Sequence, residues 1–204
     1  MTRIYLIRHG ESEGNAKRIY LGHTDLGLSP LGRRQAERTA EELSDVPFSC
    51  IYSSDLKRAL ETAEPHARLH SLFVKPCERF RELFLGDWEG ALIDDLEKTE
   101  EFTIGWRENF GNFTIPGGEC VAEGAERIFK ALSEIGEAHN GETVAVVFHA
   151  GVLRSFWAKM TELPREKWAS GVPFPQNASY SIVEYENGRF TPIKYSVSEH
   201  LSGL

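Results

Sequence analysis

The chain has 204 residues, of which 41% are apolar and 26% are charged, a composition typical of a globular protein with a substantial core. Its apolar runs are far shorter than the roughly 20 residues of a membrane-spanning helix, and its N-terminus lacks the basic region and apolar stretch of a signal peptide. The formal net charge of -8 disfavours nucleic acid and anionic membrane surfaces as partners.

The three cysteines are widely spaced and form no Cys-x-x-Cys pair. We therefore expect Cys50, Cys77 and Cys120 to be reduced, mostly buried thiols of a cytoplasmic protein.

The chain begins with a strand signal followed by a loop and a helix signal. An apolar run over residues 2–8 predicts a first strand, and a stretch rich in Gly, Asp and Pro over residues 22–30 predicts a loop. Ser29 is the expected cap of a helix that has Pro30 in its first turn and runs to about residue 44.

A second strand is predicted over residues 48–53, and a second helix directly after it. Ser54 or Asp55 is the expected cap, and the helix is expected from Leu56 through Thr62. Pro65 is expected to kink or end this helix, because proline removes a backbone donor and clashes with the preceding turn.

The middle of the chain has weaker signals. They predict a short strand near 72–75, an extended stretch near 80–84, a short helix at 91–99 and a turn at Pro116-Gly117-Gly118.

The last third returns to strong signals. Apolar positions at helical spacing predict a helix from Val121 to about Ala138, and a continuous β-branched run predicts a strand over 143–148 that is buried on both faces. A helix is expected from near Val152. Asn187-Gly188 then separates two strand-like runs, which predicts a hairpin.

Strands that alternate with helices and end in a hairpin indicate an α/β fold. The predicted architecture is a three-layer αβα sandwich with a mostly parallel central sheet. No repeat or composition shift marks a boundary, so residues 1–204 are interpreted as a single domain.

Two strands end in the same short pattern. The first leads into Arg8-His9-Gly10 and the Val-rich strand leads into His149-Ala150-Gly151. If these strands are parallel neighbours, both imidazoles emerge at one edge of the sheet, where α/β proteins bind their ligands. Arg58, in the helix after the second strand, would point toward the same edge, and cations there suit an anion such as phosphate.

Five motifs follow one another along nearly the whole chain: Leu6-Ile7-Arg8-His9-Gly10-Glu11-Ser12 with Asn15, Tyr52 to Ala63, Arg81-Glu82-Leu83 with Gly86-Asp87-Trp88-Glu89-Gly90, Pro116-Gly117-Gly118-Glu119, and His149 to Arg154. In this order they resemble the motifs of the histidine phosphatase superfamily, the group that includes cofactor-dependent phosphoglycerate mutases.

The resemblance implies a role for each matched residue. His9 would be the nucleophile that forms a phosphohistidine, and Arg8, Arg58 and His149 would surround the phosphoryl oxygens. Glu82 would protonate the leaving oxygen and later activate water.

The substrate site would also include a donor from Asn15 and the residues Gly22 and Ala150. Alternatives to Glu82 as the proton donor stay open at this point, and they are Glu78, Glu89 and Glu119.

No metal and no cofactor is expected. His66 and His70 could share a helix face as ligands, but no acidic residue or cysteine has matching spacing. The chain also lacks the Gly-x-x-x-x-Gly-Lys loop of nucleotide triphosphatases.

Three functions compete: a phosphomonoesterase, a phosphoglycerate mutase, and a non-catalytic phosphate-binding regulatory module. Relative to the mutase branch that it resembles, the chain is short between Gly90 and Pro116 and has only a brief tail after the hairpin. Less covering material favours a site open to water, and hence a phosphatase of a small phosphorylated metabolite. The small bacterial branch that it resembles includes broad-specificity enzymes and α-ribazole-5'-phosphate phosphatases. The sequence is compatible with a homodimer but contains no signal for oligomeric state.

The leaving group of the substrate is assigned from the candidate walls of the pocket. Ile19-Tyr20-Leu21, Trp106 and Phe110 are candidate pocket walls that would favour an apolar or ring-containing leaving group, although scattered aromatic residues more often belong to a core.

Overall fold

The computed structural model describes all residues, 1–204. Its centre is a six-stranded sheet with the strand order β3-β2-β4-β1-β5-β6. The strands are β1 (Thr2–Arg8), β2 (Phe48–Ser53), β3 (Val74–Pro76), β4 (Thr143–Phe148), β5 (Tyr180–Glu186) and β6 (Arg189–Val197). The first four are mutually parallel, and β5 and β6 form the antiparallel hairpin that the sequence predicts.

Seven α-helices accompany the sheet: α1 (Glu13–Ala16), α2 (Pro30–Glu42), α3 (Lys57–His70), α4 (Ile93–Leu96), α5 (Val121–Ala138), α6 (Ala150–Met160) and α7 (Trp168–Gly171). Helices α2 and α3 pack together, as do α5 and α6. Ser29 caps α2 with Pro30 in the first turn, as predicted. No helix is long and apolar enough to cross a membrane.

Strand β4 shows why the sandwich has three layers. Val144, Val146 and Phe148 belong to the core cluster that contains residues of α5 and α6, whereas Ala145 and Val147 belong to the cluster that contains residues of α3. Successive side chains of a strand point to opposite faces, so an unbroken apolar run needs helices on both sides. The predicted αβα sandwich is confirmed.

The prediction that Pro65 ends or kinks a short helix is wrong in its first part, because α3 continues past it to His70. Ala59, Ala63 and Ala67 form one buried stripe of α3 on both sides of the proline. Burial of this stripe offsets the backbone hydrogen bond that proline removes. The cap also differs, since Leu56 occupies the N-cap position and its side chain makes no capping bond.

The middle of the chain departs most from the sequence predictions. The strand near 72–75 is observed at Val74–Pro76, but the expected extended stretch near 80–84 overlaps a 3-10 turn at Glu78–Phe80. The helix expected at 91–99 is only the short α4, and a π-helix follows at Glu101–Glu108. In this segment Trp88 packs against Phe102 and Trp106. Such contacts between aromatic rings leave no hydrophobic periodicity in the sequence, so the pattern could not predict them.

The cysteines are all free thiols, as expected, but only Cys50 is buried. Cys77 and Cys120 are partly exposed, so the expectation of mostly buried thiols is wrong for these two.

The sheet register brings the ends of three strands together. Arg8 of β1 pairs with Phe148 of β4, and Ser53 of β2 pairs with Val147. Since all three strands are parallel, their carboxyl ends meet at one edge of the sheet. The residues that follow them therefore lie side by side there.

Candidate active site

His9 directly follows β1 and is almost completely buried. Its Nδ1 lies 2.7 Å from the carbonyl oxygen of Gly10. A carbonyl oxygen only accepts, so Nδ1 carries the ring proton and Nε2 keeps its lone pair. Nε2 has no hydrogen-bond partner, and His9 lines a cavity at the sheet edge. Nε2 is therefore the ring nitrogen whose lone pair is available to a ligand.

The loop after β1 is held against the start of α2 by a close backbone contact. A Cβ atom on Gly10 would lie 2.5 Å from the carbonyl oxygen of Gly32, so only glycine fits at this position. The Gly10 N–H donates to Oγ1 of Thr62 on α3, 3.0 Å away. These contacts fix the backbone that orients the His9 ring.

His149 follows β4, the neighbour of β1, and is fully buried. Its ring centroid lies 5.1 Å from that of His9, with an angle of 60° between the planes. Its Nε2 lies 2.9 Å from Oγ of Ser54, and its Nδ1 is buried without a partner. The two imidazoles predicted to meet at one sheet edge are therefore in contact.

Arg8 and Arg58 enter the same site from β1 and from the first turn of α3. Arg58 is 2% exposed, and its Nη1 and Nη2 donate to the carbonyl oxygens of Thr24 and Gly22. Arg8 donates from Nη1 to the carbonyl oxygen of Pro175, and its Nε is buried without a partner. Both guanidinium groups keep donors that face the cavity.

Burial and neighbouring cations set the charge of these groups. Burial lowers the pKa of Arg8 and of Arg58 to about 10, so both stay cationic at neutral pH. Burial and the charges of Arg58 and Arg8 hold the pKa of His9 well below its usual value of 6.5. Burial and Arg58 lower the pKa of His149 in the same way. Both rings are therefore neutral near pH 7.

Asn15 lies in α1, the short helix that follows the His9 loop, and lines the cavity. Its Oδ1 accepts the Ser12 N–H at 3.1 Å and a proton of the Asn177 amide at 3.2 Å. These two donors place the oxygen of the Asn15 amide away from the cavity. The Nδ2 group has no hydrogen-bond partner within the protein.

Glu82 faces the start of α6. One carboxylate oxygen accepts the Leu83 and Val152 N–H groups at 2.9 and 3.0 Å, and the other accepts the Gly151 N–H at 2.9 Å. A Cβ atom on Gly151 would lie 2.7 Å from Oε1 of Glu82, so the small residue after His149-Ala150 makes room for this carboxylate. The first N–H groups of a helix have no partner within the helix and favour a negative charge.

The other candidate acids lie elsewhere. Glu78 is exposed on the surface, and Glu119 is paired with Arg127. Glu89 accepts the His23 N–H and the Thr24 hydroxyl behind the loop that Arg58 anchors. Among the four glutamates, only Glu82 lines the cavity.

The cavity contains about 670 Å³ of empty space, including its opening to solvent. Polar and small residues form its inner end, and this set consists of Arg8, His9, Ser12, Asn15, Gly22, Arg58, Glu82, Ala150 and Gly151. Apolar side chains form the rest, and these are Ile19, Tyr20, Leu21, Leu85, Ile93, Trp106 and Phe174. His149 lies behind the inner end and does not line the cavity itself.

Comparison with known proteins adds independent evidence. Residues 4–198 match the sequence model of the histidine phosphatase superfamily (branch 1). Phosphoserine phosphatase 1 of Hydrogenobacter thermophilus is 34% identical over 203 residues, which is 98% of this chain and 95% of that protein. Phosphoglycerate mutase-like protein 4 of Arabidopsis thaliana is 41% identical over 162 residues, which is 78% of this chain and 70% of that protein.

The fold is also close to that of a mycobacterial glucosyl-3-phosphoglycerate phosphatase, solved as a complex with VO3. The TM-score is 0.89 at 29% identity, over 96% of this chain and 99% of that one. The chain belongs to the histidine phosphatase superfamily. It is an enzyme of the phosphatase type.

Sequence reasoning missed several residues of this histidine phosphatase's site. Phe174 lines the cavity, Pro175 accepts from Arg8, and Asn177 donates to Asn15 and to the carbonyl oxygen of His9. They belong to one segment, Pro173-Phe174-Pro175-Gln176-Asn177, between α7 and β5. An aromatic residue between two prolines directly before a strand was the available signal.

One predicted wall residue is misplaced. Phe110 is fully buried, where it packs against Trp106 with the ring centroids 4.9 Å apart, and it does not reach the cavity. Ile19, Tyr20 and Trp106 line the cavity as predicted. The phosphatase contains no group of three or more His, Cys, Asp or Glu side chains arranged to hold a metal ion. His66 is buried, and the ring nitrogens of His70 lie 2.8 and 2.9 Å from the backbone carbonyl oxygens of His66 and Val46.

Proposed function

We propose that this histidine phosphatase hydrolyses a small phosphomonoester through a phosphohistidine formed at Nε2 of His9. The observation that carries the proposal is the bond from His9 Nδ1 to the Gly10 carbonyl, which leaves Nε2 with its lone pair beside two buried guanidinium groups. Phosphoryl transfer depends mainly on in-line positioning and on cations around the phosphoryl oxygens. Arg8 and Arg58 supply the cations beside His9.

Unsatisfied donors support the assignment of the phosphate position. Nε of Arg8 and Nδ1 of His149 are both completely buried without a partner. A buried polar atom without a partner is costly, so Arg8 Nε beside the cavity and His149 Nδ1 directly behind its inner end support a ligand that completes them. We assign Arg8, Arg58, His149 and Asn15 as the groups that hold the phosphoryl oxygens, with the Gly22 and Ala150 backbones beside them.

In the first step Nε2 of His9 attacks phosphorus, and the bond from phosphorus to the ester oxygen breaks. The leaving oxygen takes a proton from the Glu82 carboxyl. The carboxylate that results accepts the N–H groups at the start of α6, the arrangement that the structure shows. The alcohol then leaves.

In the second step water attacks the phosphorus of the phosphohistidine. Glu82 removes the proton of the attacking water, the P–N bond breaks, and Nε2 recovers its lone pair. Inorganic phosphate leaves, and Glu82 is again protonated for the next cycle. The two steps replace one difficult substitution by two easier ones.

The names of the relatives differ in reaction and in substrate. The Hydrogenobacter protein is named a phosphoserine phosphatase, the mycobacterial one a glucosyl-3-phosphoglycerate phosphatase, and the Arabidopsis one a phosphoglycerate mutase-like protein. We propose hydrolysis rather than mutase activity, because the cavity that contains His9 is open to solvent and water can reach the intermediate. An α-ribazole-type phosphate, with a neutral ring-containing leaving group, is one candidate substrate.

The remaining parts of the proposal concern the whole protein. We propose that residues 1–204 act as one catalytic domain. The three free thiols favour a cytoplasmic enzyme. The net charge of -8 disfavours nucleic acid and membrane as partners. A homodimer is compatible with this function and is not required by it, since one chain supplies the complete site.

The test is rapid-quench kinetics with an aryl phosphate on the wild type, His9→Ala and the control His70→Ala, a histidine outside the cavity. We expect an acid-labile phosphoenzyme and stoichiometric phosphate release from the wild type and His70→Ala, and neither from His9→Ala. Turnover by His9→Ala would refute the nucleophile. Interconversion of 2- and 3-phosphoglycerate without phosphate release would make the enzyme a mutase, and phosphate binding without turnover would make it a regulatory module.

A further inference from the structure

The apolar outer half of the cavity narrows the substrate class. Outside the phosphate end, the lining consists of the seven apolar residues from Ile19 to Phe174 named above, and it contains no cation. We infer that the enzyme prefers phosphomonoesters with a neutral, apolar or ring-containing leaving group and selects against those whose leaving group carries a carboxylate. This inference rests on the proposed function and goes beyond it by naming the substrate class.

The charges of the site support selection against a carboxylate. Arg8 and Arg58 are the only cationic side chains that line the cavity, and both lie beside His9 at the phosphate end. Glu89 and Asp25 add negative charge near Arg58. A dianionic phosphate uses both guanidinium groups. Within the cavity, a second anion on the substrate would find no further cation.

Other arginines near the mouth are already engaged. Arg18 donates two hydrogen bonds to Asp94, and Arg107 donates to Glu97 at 2.5 Å. Arg154 donates to the carbonyl oxygens of Val172 and Ala169. These arginines do not line the cavity itself but an adjoining surface pocket that shares four of its apolar wall residues.

The position of Phe174 indicates that the apolar wall serves binding rather than the core alone. Its side chain is 48% exposed at the mouth of the cavity, where an aromatic side chain gains little from folding. The guanidinium carbon of Arg154 lies 5.4 Å from the centre of this ring and 4.7 Å from that of Phe110. Arg154 is therefore placed between the exposed ring and the core, and it holds Phe174 as a wall of the cavity.

Matched substrate pairs test the inference. Glycerol 3-phosphate and 3-phosphoglycerate differ only by a hydroxymethyl group in place of a carboxylate, and phosphoethanolamine and phosphoserine differ by one carboxylate. We expect kcat/KM to be at least about 10-fold higher for the member without the carboxylate in each pair, because a buried unpaired charge is penalised in the transition state. Cyclohexylmethyl phosphate should exceed methyl phosphate by roughly 10- to 100-fold, because the apolar wall buries the ring.

Two variants assign the selectivity to the wall. Phe174→Ala should lower the ratio of kcat/KM for cyclohexylmethyl phosphate to that for methyl phosphate by roughly 5-fold or more. The control Phe73→Ala, at a residue 91% exposed and outside the cavity, should keep the wild-type ratio.

A second pair of variants tests the absence of a cation from the wall. Ile93→Arg places a cation in the wall and should shift the preference toward 3-phosphoglycerate. The control Ile104→Arg places the same cation outside the cavity and should leave the preference unchanged.

The outcomes separate the two proposals. Absence of phosphate release and of a phosphoenzyme with every ester would refute the proposed function and this inference with it. Efficient turnover of all esters with a preference for phosphoserine or 3-phosphoglycerate would refute the substrate class alone. A selectivity that Phe174→Ala and Phe73→Ala change equally would show that the wall does not set it.

Discussion

Nε2 of His149 and Oγ of Ser54 lie 2.9 Å apart, and both side chains are completely buried. Oγ of Ser54 also accepts the Leu56 N–H at 3.4 Å. A hydroxyl has one proton to donate, and His149 is the acceptor available to it. Ser54 therefore donates to Nε2, and Nδ1 of His149 carries the ring proton. The buried nitrogen without a partner is thus an N–H donor, which suits a phosphoryl oxygen.

Removal of this hydroxyl should impair catalysis without unfolding the protein. In Ser54→Ala the imidazole loses the bond that selects its tautomer, and we expect kcat to fall by roughly 10- to 100-fold, since catalytic effects of misplaced donors are of this order. Ser155→Ala, also buried and hydrogen-bonded only within α6, is the matched control. The measurement is rapid-quench phosphorylation together with thermal unfolding and a pH profile. Equal activity of the two variants would rule out a positioning role for Ser54.

Arg58 should control the ionisation of His9. Its charge is the largest contribution after burial to the lowered pKa of His9. Because the neutral ring is the nucleophile, wild-type kcat/KM should not lose activity to His9 protonation until well below pH 6.5. In Arg58→Met the pKa of His9 should rise, and the loss of activity on acidification should begin at higher pH. Activity at pH 7 should also fall by roughly 100-fold or more through the lost phosphate contact.

The measurement for Arg58 is an NMR titration of the His9 ring alongside the pH dependence of kcat/KM. The control is Arg68→Met, which removes a surface ion pair with Glu37 and should leave the titration unchanged. An unchanged His9 titration in Arg58→Met would mean that burial alone sets its ionisation.

Glu82→Gln should separate the two chemical steps. The amide can neither protonate the leaving oxygen nor take a proton from water, so turnover of alkyl phosphates should fall by roughly 100- to 10,000-fold. An aryl phosphate needs little protonation, and with it the variant should give a burst of one equivalent followed by slow hydrolysis. Glu89→Gln is the comparison at a glutamate outside the cavity. If Glu82→Gln released phosphate from both esters at the wild-type rate, another group would be the proton donor.

His66 should make the fold sensitive to acid. It is fully buried, neither ring nitrogen has a partner, and burial together with His70 and His200 lowers its pKa to about 3. The unfolded chain binds a proton here below about pH 6.5, whereas the folded chain does so only near pH 3, so stability is lost as pH falls through this window. Replacement of His66 by leucine removes that dependence.

Between pH 8 and pH 5 the free energy of unfolding should therefore fall by about 2 kcal/mol less in His66→Leu than in the wild type. Denaturant unfolding at both pH values measures this difference, and pH 8 serves as the internal control. His9 and His149 titrate in both proteins, so their contributions cancel in the comparison. A parallel loss of stability in the two proteins would show that His66 is protonated, or solvated, in the folded state.

How much the sequence determines is clearest at the sheet edge. The unbroken apolar run of β4 needs cover on both faces, which predicts a strand inside the sheet from local pattern alone. Its position beside β1 is a condition of the sequence argument that the structure meets, and this neighbourhood brings His9 and His149 together. The helix α5 and the hairpin at Asn187-Gly188 follow from equally local signals.

The tertiary structure alone decides which atoms face the ligand. Four glutamates are compatible with the sequence, and Glu82 lines the cavity because free N–H groups at the start of α6, distant in sequence, bind its carboxylate. The roles of Ser54 and Asn177 depend in the same way on contacts across the fold. Backbone preference and periodicity are properties of neighbouring residues, whereas partners for buried polar atoms come from segments far apart in the chain. Pro65 shows the same limit, because burial of the α3 stripe outweighs the local preference of proline to end a helix.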